Sequence, residues 1–281
     1  NVVLDIGKTN VKLIFLKKNK IIKEYKTKQQ NESYKNSIKT LNSGKIITWL
    51  IEKIKKESKK NILENFVCTT HGCSLAFIDF DNKEIIACTD YEYSFDRCKK
   101  EFLKVEPKFS TSFTPLLEGG LNTGLQIFYL SKKFPNVLKK TKYILSYPQY
   151  VAWKLSKTYS TEITYVGCHS YLWDFKKNKF SQLTKKLSVE KKFPPMRKAW
   201  DIIGNLTINN KKINILNGVH DSNASYLYFL KSNLKSFTLV STGTWYITLN
   251  QQTNIKRLLA FSSISHVGFM LIAFSIIGPG S

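Results

Sequence analysis

At 281 residues, with 42% hydrophobic and 13% aromatic side chains, the chain can bury the core of one large domain or two ordinary ones, which excludes global disorder. The formal net charge of +24 invites a nucleic-acid partner, but nearly all of it is lysine scattered between Lys17 and Lys256, and the only arginines are Arg97, Arg197 and Arg257. Phosphate-clamping surfaces favour the arginine fork, so a compositional bias with solvated faces is expected, and no nucleic-acid partner.

Short polar turns separate "VVLDIG", "NVKLIFLKK" and "KIIKEYKTK", whose alternation predicts an antiparallel three-strand meander. Ser43 then precedes "GKIITWLIEKIKKES", where Ile46, Ile47, Leu50, Ile51 and Ile54 follow helical spacing, with Ser43 as its expected N-cap. "NILENFVCTTHG" reads as a loop and a buried strand ending at Gly72, and "EIIACTDY" as another strand. "GLNTGLQIFYLSKKFP" predicts a helix stopped near Pro135, and "SYPQYVAWKLSK" a second with Pro148 in its first turn. "INILNGVHDSNASYLYFL" reads as strand, tight turn and helix, and "FTLVSTGTWYITL" as strand, glycine turn and strand. This order of elements gives an α/β fold.

Cys68, Cys73, Cys88, Cys98 and Cys168 form no CxxC pair, as expected of free thiols in a reducing cytosol. "CTTHGC" sets His71 between two cysteines, a pattern that could be part of a metal site, but no second ligand cluster accompanies it. The chain opens on Asn1, directly before the first strand, so a fragment is expected, beginning inside a gene or just after its first residues.

Three polar turns carry candidate chemistry. "LDIGKTNVKL" puts Asp5 at a strand end and Gly7 in a turn whose backbone N–H groups could hold phosphate oxygens, with the carboxylate holding hydrated Mg²⁺; the alternative is a plain hairpin. "VSTGTW" repeats the device with Ser241, Thr242, Gly243 and Thr244, and again a β-turn is the alternative. "GVHDSNAS" places Asp221 where a strand passes into a helix, either as a cap or as a general base beside a substrate hydroxyl.

Taken together and in this order, these stretches, with "TTHG", "GLNTGLQIFYL", "YPQYVAWKLS" and "TEITYVGCHSYLWD", resemble the FGGY carbohydrate kinases of the actin-like ATPase superfamily, most nearly the fuculokinase and rhamnulokinase kind. The resemblance implies a ribonuclease-H-like α/β domain of the actin-type ATPases, with only the start of the second such domain. Residues 1–215 would form the sugar-binding domain and 216–254 the beginning of the nucleotide domain. It implies ATP-dependent phosphorylation of a sugar, most specifically a ketose such as a 6-deoxyketohexose, in the cytoplasm. Asp5 would hold Mg²⁺, Gly7, Lys8, Thr9 and Asn10 the phosphates from one side, and Ser241, Thr242, Gly243 and Thr244 from the other. Asp221 would be the catalytic base. His71 and Gly72 would line the sugar cleft, with His169 a further candidate whose alternative is a packing role; Trp153 and Trp173 are expected in the core. The family's adenosine motif is absent from the chain as given, so an inactive fragment is expected. The rival reading is a sugar- or nucleotide-binding module without catalysis.

The C-terminal run breaks the pattern. Leu258 to Ile277 is 20 residues, about 30 Å as a helix and enough to span a hydrocarbon core, behind Lys256 and Arg257. "IKRLLAFSSISHVGFMLIAF" resembles a transmembrane segment of the antiporter-like subunits of respiratory NADH–quinone oxidoreductase. A genuine membrane anchor and a divergent core helix are alternatives; the expectation is that two unrelated coding sequences are joined there. A membrane subunit of a proton-pumping complex would rest on residues 255–281 alone.

Overall fold

The computed structural model describes residues 1–29, 33–35, 37–232, 234, 237–242 and 246–250. Its chain divides into two compact units between Asp221 and Ser222. The first begins with strands β1 (Val2–Ile6), β2 (Asn10–Lys17) and β3 (Lys20–Lys28), paired antiparallel as the meander the sequence predicts. Val2, Leu4, Ile6, Val11, Leu13 and Phe15 are buried, while β3 is the lysine-rich outer strand, which blunts an open edge.

Helix α1 (Ser43–Ser58) buries Ile46, Ile47, Leu50 and Ile54, an apolar stripe contributing roughly 1.5–3 kcal/mol per side chain. The expected cap at Ser43 is corrected: the capping position is Asn42, with no side-chain cap bond, and Ser43 lies buried inside the first turn, its hydroxyl donating to Tyr150 Oη at 3.4 Å. Burial beside a tyrosine outcompetes the local backbone for that hydroxyl.

After α1 come β4 (Asn65–Thr70), β5 (Leu75–Asp79), β6 (Glu84–Ile86), α2 (Thr123–Lys133), β7 (Thr141–Ser146), α3 (Tyr147–Ser156), β8 (Ile202–Ile208), β9 (Lys211–Leu216) and β10 (Val219–His220). The main sheet runs β8-β9-β4-β1-β2-β3, with β10 also pairing β4. A smaller antiparallel sheet has the order β6-β5-β7. Helix α3, with Pro in its first turn, packs on β4, β8 and β9, and Trp153 and Trp173 are buried as expected.

The predicted strand "EIIACTDY" is shorter than its text. After Ile86 the chain turns to the short strand Ile38–Thr40: Leu41 N donates to Cys88 O and Asp90 N to Lys39 O. Helix α4 (Asp221–Leu230) follows β10. In the second unit, β11 (Thr238–Thr242) and β12 (Tyr246–Asn250) form an antiparallel pair, again as read from the sequence.

The turn between β9 and β10 is locked from several sides. Gln149 Nε2 donates to Asn217 O at 2.9 Å, and Ser160 Oγ to Asn217 Oδ1 at 2.7 Å. Asn217 Nδ2 donates to the carbonyls of Thr161 and Arg197. Gly218 has φ +88°, and a Cβ there would lie 2.7 Å from Cys68 O. Left-handed backbone and a blocked side-chain position together require glycine. Gly218→Ala is expected to cost about 2–4 kcal/mol from strain and overpacking, read as a lower urea midpoint at unchanged slope. A variant within about 0.5 kcal/mol of wild type, the range of a neutral surface change, would show that the turn is not constrained as described.

Candidate active site

Strand pairing decides what meets here. β1 and β10 both run parallel to β4, in a register that sets Ile6 and His220 each against Thr70. The residues leaving these three strands therefore emerge at one sheet edge: Gly7–Asn10, His71–Gly72 and Asp221. His71 N donating to Ile6 O at 2.8 Å ties two of the exits together. Carboxyl ends of parallel strands are where open α/β sheets place ligands.

In the first exit, Gly7 N donates to Asn10 O and Gln29 N to Thr9 O, each at 2.9 Å, which closes the turn. Asp5 is paired opposite Lys12 in the register of β1 and β2. Burial raises the Asp5 carboxyl above its ordinary range; Lys12 opposes the rise and the Asp221 carboxylate adds to it. Two of the predicted residues, Asp5 and Asp221, thus lie close enough to feel one another.

Lys8 is turned to a cluster the sequence did not signal. Its ammonium is bonded to the buried Asp90 carboxylate, lies 3.3 Å from Glu92 Oε2 and sits 4.9 Å over the Tyr91 ring. Lys39 Nζ is 3.5 Å from Asp90 Oδ2. Burial pulls the Asp90 carboxyl up, but the hydrogen bonds from Lys8 and the Glu92 amide, with the charges of Lys8 and Lys39, outweigh it and hold the group below its usual range. Asp90 comes within reach only because the chain leaves β6 to pair with Ile38–Thr40.

His71 is buried between Tyr91 and Tyr147, with ring centroids 5.3 and 5.6 Å away. Its Nδ1 lies 2.9 Å from Gly72 O, and its Nε2 has no hydrogen-bond partner among the described residues. Burial lowers its basicity, with Lys8 adding to the effect and Gly72, Asp221 and Asp90 resisting. A neutral imidazole with one open nitrogen suits a ligand hydroxyl.

His220 was also not singled out by the sequence, although it directly precedes Asp221. Its backbone N donates to Thr164 Oγ1 at 3.2 Å, and its ring stands edge-on to Tyr165. Thr164 in turn donates to Glu162, whose carboxyl is raised by burial against the pull of the Thr164 hydrogen bonds. His220 Nε2 is 3.5 Å from Asp221 Oδ1. Gly72 faces this ring: a Cβ would sit 2.7 Å from Nε2.

His169 joins the same neighbourhood, its ring centroid 6.2 Å from that of His220. Its carbonyl accepts from Asn122 Nδ2 at 2.8 Å, and its φ is +36°. Burial and His220 push its imidazole down to about 4. Of the remaining predicted residues, Ser241 and Thr242 end strand β11 in the second unit, and Gly243 and Thr244 lie outside the described residues.

An α/β sheet of this topology, delivering carboxylates and an imidazole at the ends of parallel strands, is the ribonuclease-H-like domain of the actin-type ATPases. The chain belongs to the FGGY family of carbohydrate kinases: the family model for their N-terminal domain matches residues 1–226. Among solved structures, the chain is similar to a carbohydrate kinase from Novosphingobium aromaticivorans, with TM-score 0.82 and 26% identity over 90% of this chain and 57% of that one. It shares its fold with a xylulose kinase from Lactobacillus acidophilus (TM-score 0.68, 14% identity, 80% of this chain and 49% of that one). The same holds for Plasmodium falciparum glycerol kinase (TM-score 0.67, 14% identity, 80% and 49%). The chain therefore spans about half the length of the kinases it matches. No curated protein gives a significant match. A second family model, described as NADH:quinone oxidoreductase/Mrp antiporter, TM, matches residues 215–280, beginning well before the apolar run. Among the described residues, no helix is long and apolar enough to cross a membrane.

His169 makes the acid limb of stability testable. Its folded pKa, about 4, lies below the unfolded value of 6.5. The unfolded state thus binds the proton first, and stability falls as pH drops from about 6.5 to about 4, by up to ~3 kcal/mol. In urea titrations across that window, His169→Gln is expected to flatten the slope by about that amount. An unchanged slope would mean that His169 is not buried as described.

Proposed function

We propose that this chain carries the sugar-holding half of a Mg²⁺- and ATP-dependent carbohydrate kinase, with Asp221 as general base. The observation that carries this reading is the shared register of β1, β4 and β10, which gathers Asp5, His71 and Asp221 at one edge. A sugar hydroxyl there would give its proton to Asp221 as its oxygen bonds to the γ-phosphorus and the bond to the departing diphosphate breaks. His71 Nε2 would orient the hydroxyl, and the Lys8–Asp90 pair would present both a donor and acceptors to its neighbours.

Asp5 fits a divalent cation: burial raises its hard carboxylate, the Asp221 charge adds to the rise, and a positive ion would relieve both. The metal would neutralise phosphate charge beside the turn Gly7–Asn10, whose Gly7 N–H is itself taken by Asn10 O. Lys8, engaged by Asp90, is better placed for the sugar than for a phosphate. Ser241, Thr242, Gly243 and Thr244 remain the proposed second phosphate loop. The proposed substrate is a ketose such as a 6-deoxyketohexose, on the resemblance of the motifs to fuculokinases and rhamnulokinases.

The match to an N-terminal domain and the half-length coverage support an isolated chain that holds sugar without turning over. Domain limits at 1–215, 216–254 and 255–281 are proposed with it, the last segment coming from an unrelated membrane-protein coding sequence. A chain ending at Asn250 would then partition as a cytoplasmic protein. A continuous kinase reading frame in source DNA across Thr253–Leu258 would support the join, and a genomic copy of this same frame would refute an assembly error.

The test is a screen of rare ketoses with the chain joined to a complete FGGY C-terminal domain. Asp221→Asn should lower kcat by about 10²–10⁴-fold while sugar binding by calorimetry stays within a few fold. Full activity in Asp221→Asn would remove the assigned role. ATP-dependent sugar phosphorylation by the 281-residue chain alone would remove the claim of inactivity.

A further inference from the structure

One cluster of side chains beside Asp221 has chemistry that phosphoryl transfer does not call for. Cys168, His169 and His220 each bring a ligand atom to within 4.8 Å of the others. The first two lie in the loop after Val166, and the third, some 50 residues later in the chain, enters through β10. Among the described residues, this is the group of histidine, cysteine or carboxylate side chains that could hold a metal. The pattern "CTTHGC" is not part of it: Cys73 Sγ lies 2.9 Å from Leu121 O and Cys68 is buried in the core.

The scaffold around the cluster is fixed. Asn122 Nδ2 donates to His169 O, Gly124 N to Ser170 O at 2.8 Å, and Ser170 Oγ to Val166 O. These bonds hold the Cys168–Ser170 loop, with His169 in the left-handed region. On the other side, Thr164 holds the His220 backbone and Tyr165 packs its ring. The absence of a side chain at Gly72 keeps the space beside His220 Nε2 clear of a Cβ that would stand 2.7 Å from it.

We propose that Cys168, His169 and His220 bind a soft divalent cation, Zn²⁺ in the first instance, with the Asp221 carboxylate as fourth ligand. One thiolate and two imidazoles select zinc over magnesium. Zinc bonds of about 2.0–2.3 Å give tetrahedral edges of roughly 3.3–3.6 Å. The 3.5 Å between His220 Nε2 and Asp221 Oδ1 is already such an edge; the ligand atoms of Cys168, His169 and His220, within 4.8 Å of one another, need close on each other by at most about an ångström. Binding forms the sulfur–metal bond and releases the thiol proton to solvent. The site is distinct from the Mg²⁺ position at Asp5, and its existence does not depend on the kinase reading. If that reading holds, zinc would occupy the base and compete with the sugar.

The test is spectroscopic and needs no turnover. The reduced 281-residue chain is titrated with Co²⁺, reading the thiolate-to-cobalt charge-transfer band and the visible bands of a tetrahedral ion, then back-titrated with Zn²⁺. One equivalent should bind and Zn²⁺ should bleach both signals. Cys168→Ser should abolish the charge-transfer band. His169→Gln and Asp221→Asn should keep it but weaken binding by at least about 10–100-fold, the loss that even supporting partners of a metal site cause. No charge-transfer band in the wild type would overturn the proposal. So would a band undiminished in Cys168→Ser, which would put the ion on another cysteine. Cys168 and His169 lie on a half-buried loop, so circular dichroism of His169→Gln and Cys168→Ser separates lost binding from lost folding.

Discussion

The parallel pairing of β4 with two partners is the constraint on which the rest depends. A parallel ladder fixes direction as well as register, so strands begun 60 to 150 residues apart must end side by side. Ile6, Thr70 and His220 share one level across the sheet, and the next residue of each strand leaves at the same edge. A slip of one residue in β10 would put Asp221 at the level of His220, or His220 at that of Asp221, and turn each side chain to the opposite face. Much of the surrounding structure serves to prevent that slip.

The restraint is polar and buried. Asn217, Gln149, Asn122 and Gln126 are all fully buried, where an unpaired amide would cost several kcal/mol. Asn217 bonds to Ser160, Thr161 and Arg197; Gln126 Nε2 donates to Cys73 O and Gly120 O and its Oε1 accepts from Thr89. Asn217, Asn122 and Gln126 therefore each gather groups from separate segments, while Gln149 Nε2 holds the Asn217–Gly218 turn and its Oε1 has no partner among the described residues. A hydrophobic residue would fill the same volume but tolerate sliding. A buried amide has a sharp minimum, because every lost bond leaves a stranded group. The loops that carry His71, His169 and His220 inherit that sharpness.

The text of the sequence made the local elements legible. Alternation gave the meander, helical spacing gave α1, and Pro148 marked the start of α3. What it did not show depends on tertiary position. Ser43 has the composition of a cap, yet Tyr150, 107 residues away, takes its hydroxyl. "EIIACTDY" has strand composition throughout, but Cys88 to Asp90 pair with the short strand Ile38–Thr40, too short to show an alternation of its own. That exchange delivers Asp90 to Lys8, an ion pair across 82 residues that no motif announces. Cys168, His169 and His220 likewise meet only because β10 and the 168–171 loop are held to a common edge. Motifs marked Asp5, His71 and Asp221; the partners that set their chemistry came from long-range packing.

The boundary between the two compact units falls directly after Asp221. Every restraint on that carboxylate described above therefore belongs to the first unit: the β10 register, the Asn217–Gly218 turn, His220 and the Thr164–Glu162 pair. His71 and the Lys8–Asp90 pair belong to it as well. Under the proposed function, aligning a sugar hydroxyl with Asp221 would then be a property of one compact unit. Phosphoryl transfer depends mainly on positioning and charge neutralisation, and on the proposed reading the restraints that would position the acceptor beside Asp221 lie before Ser222.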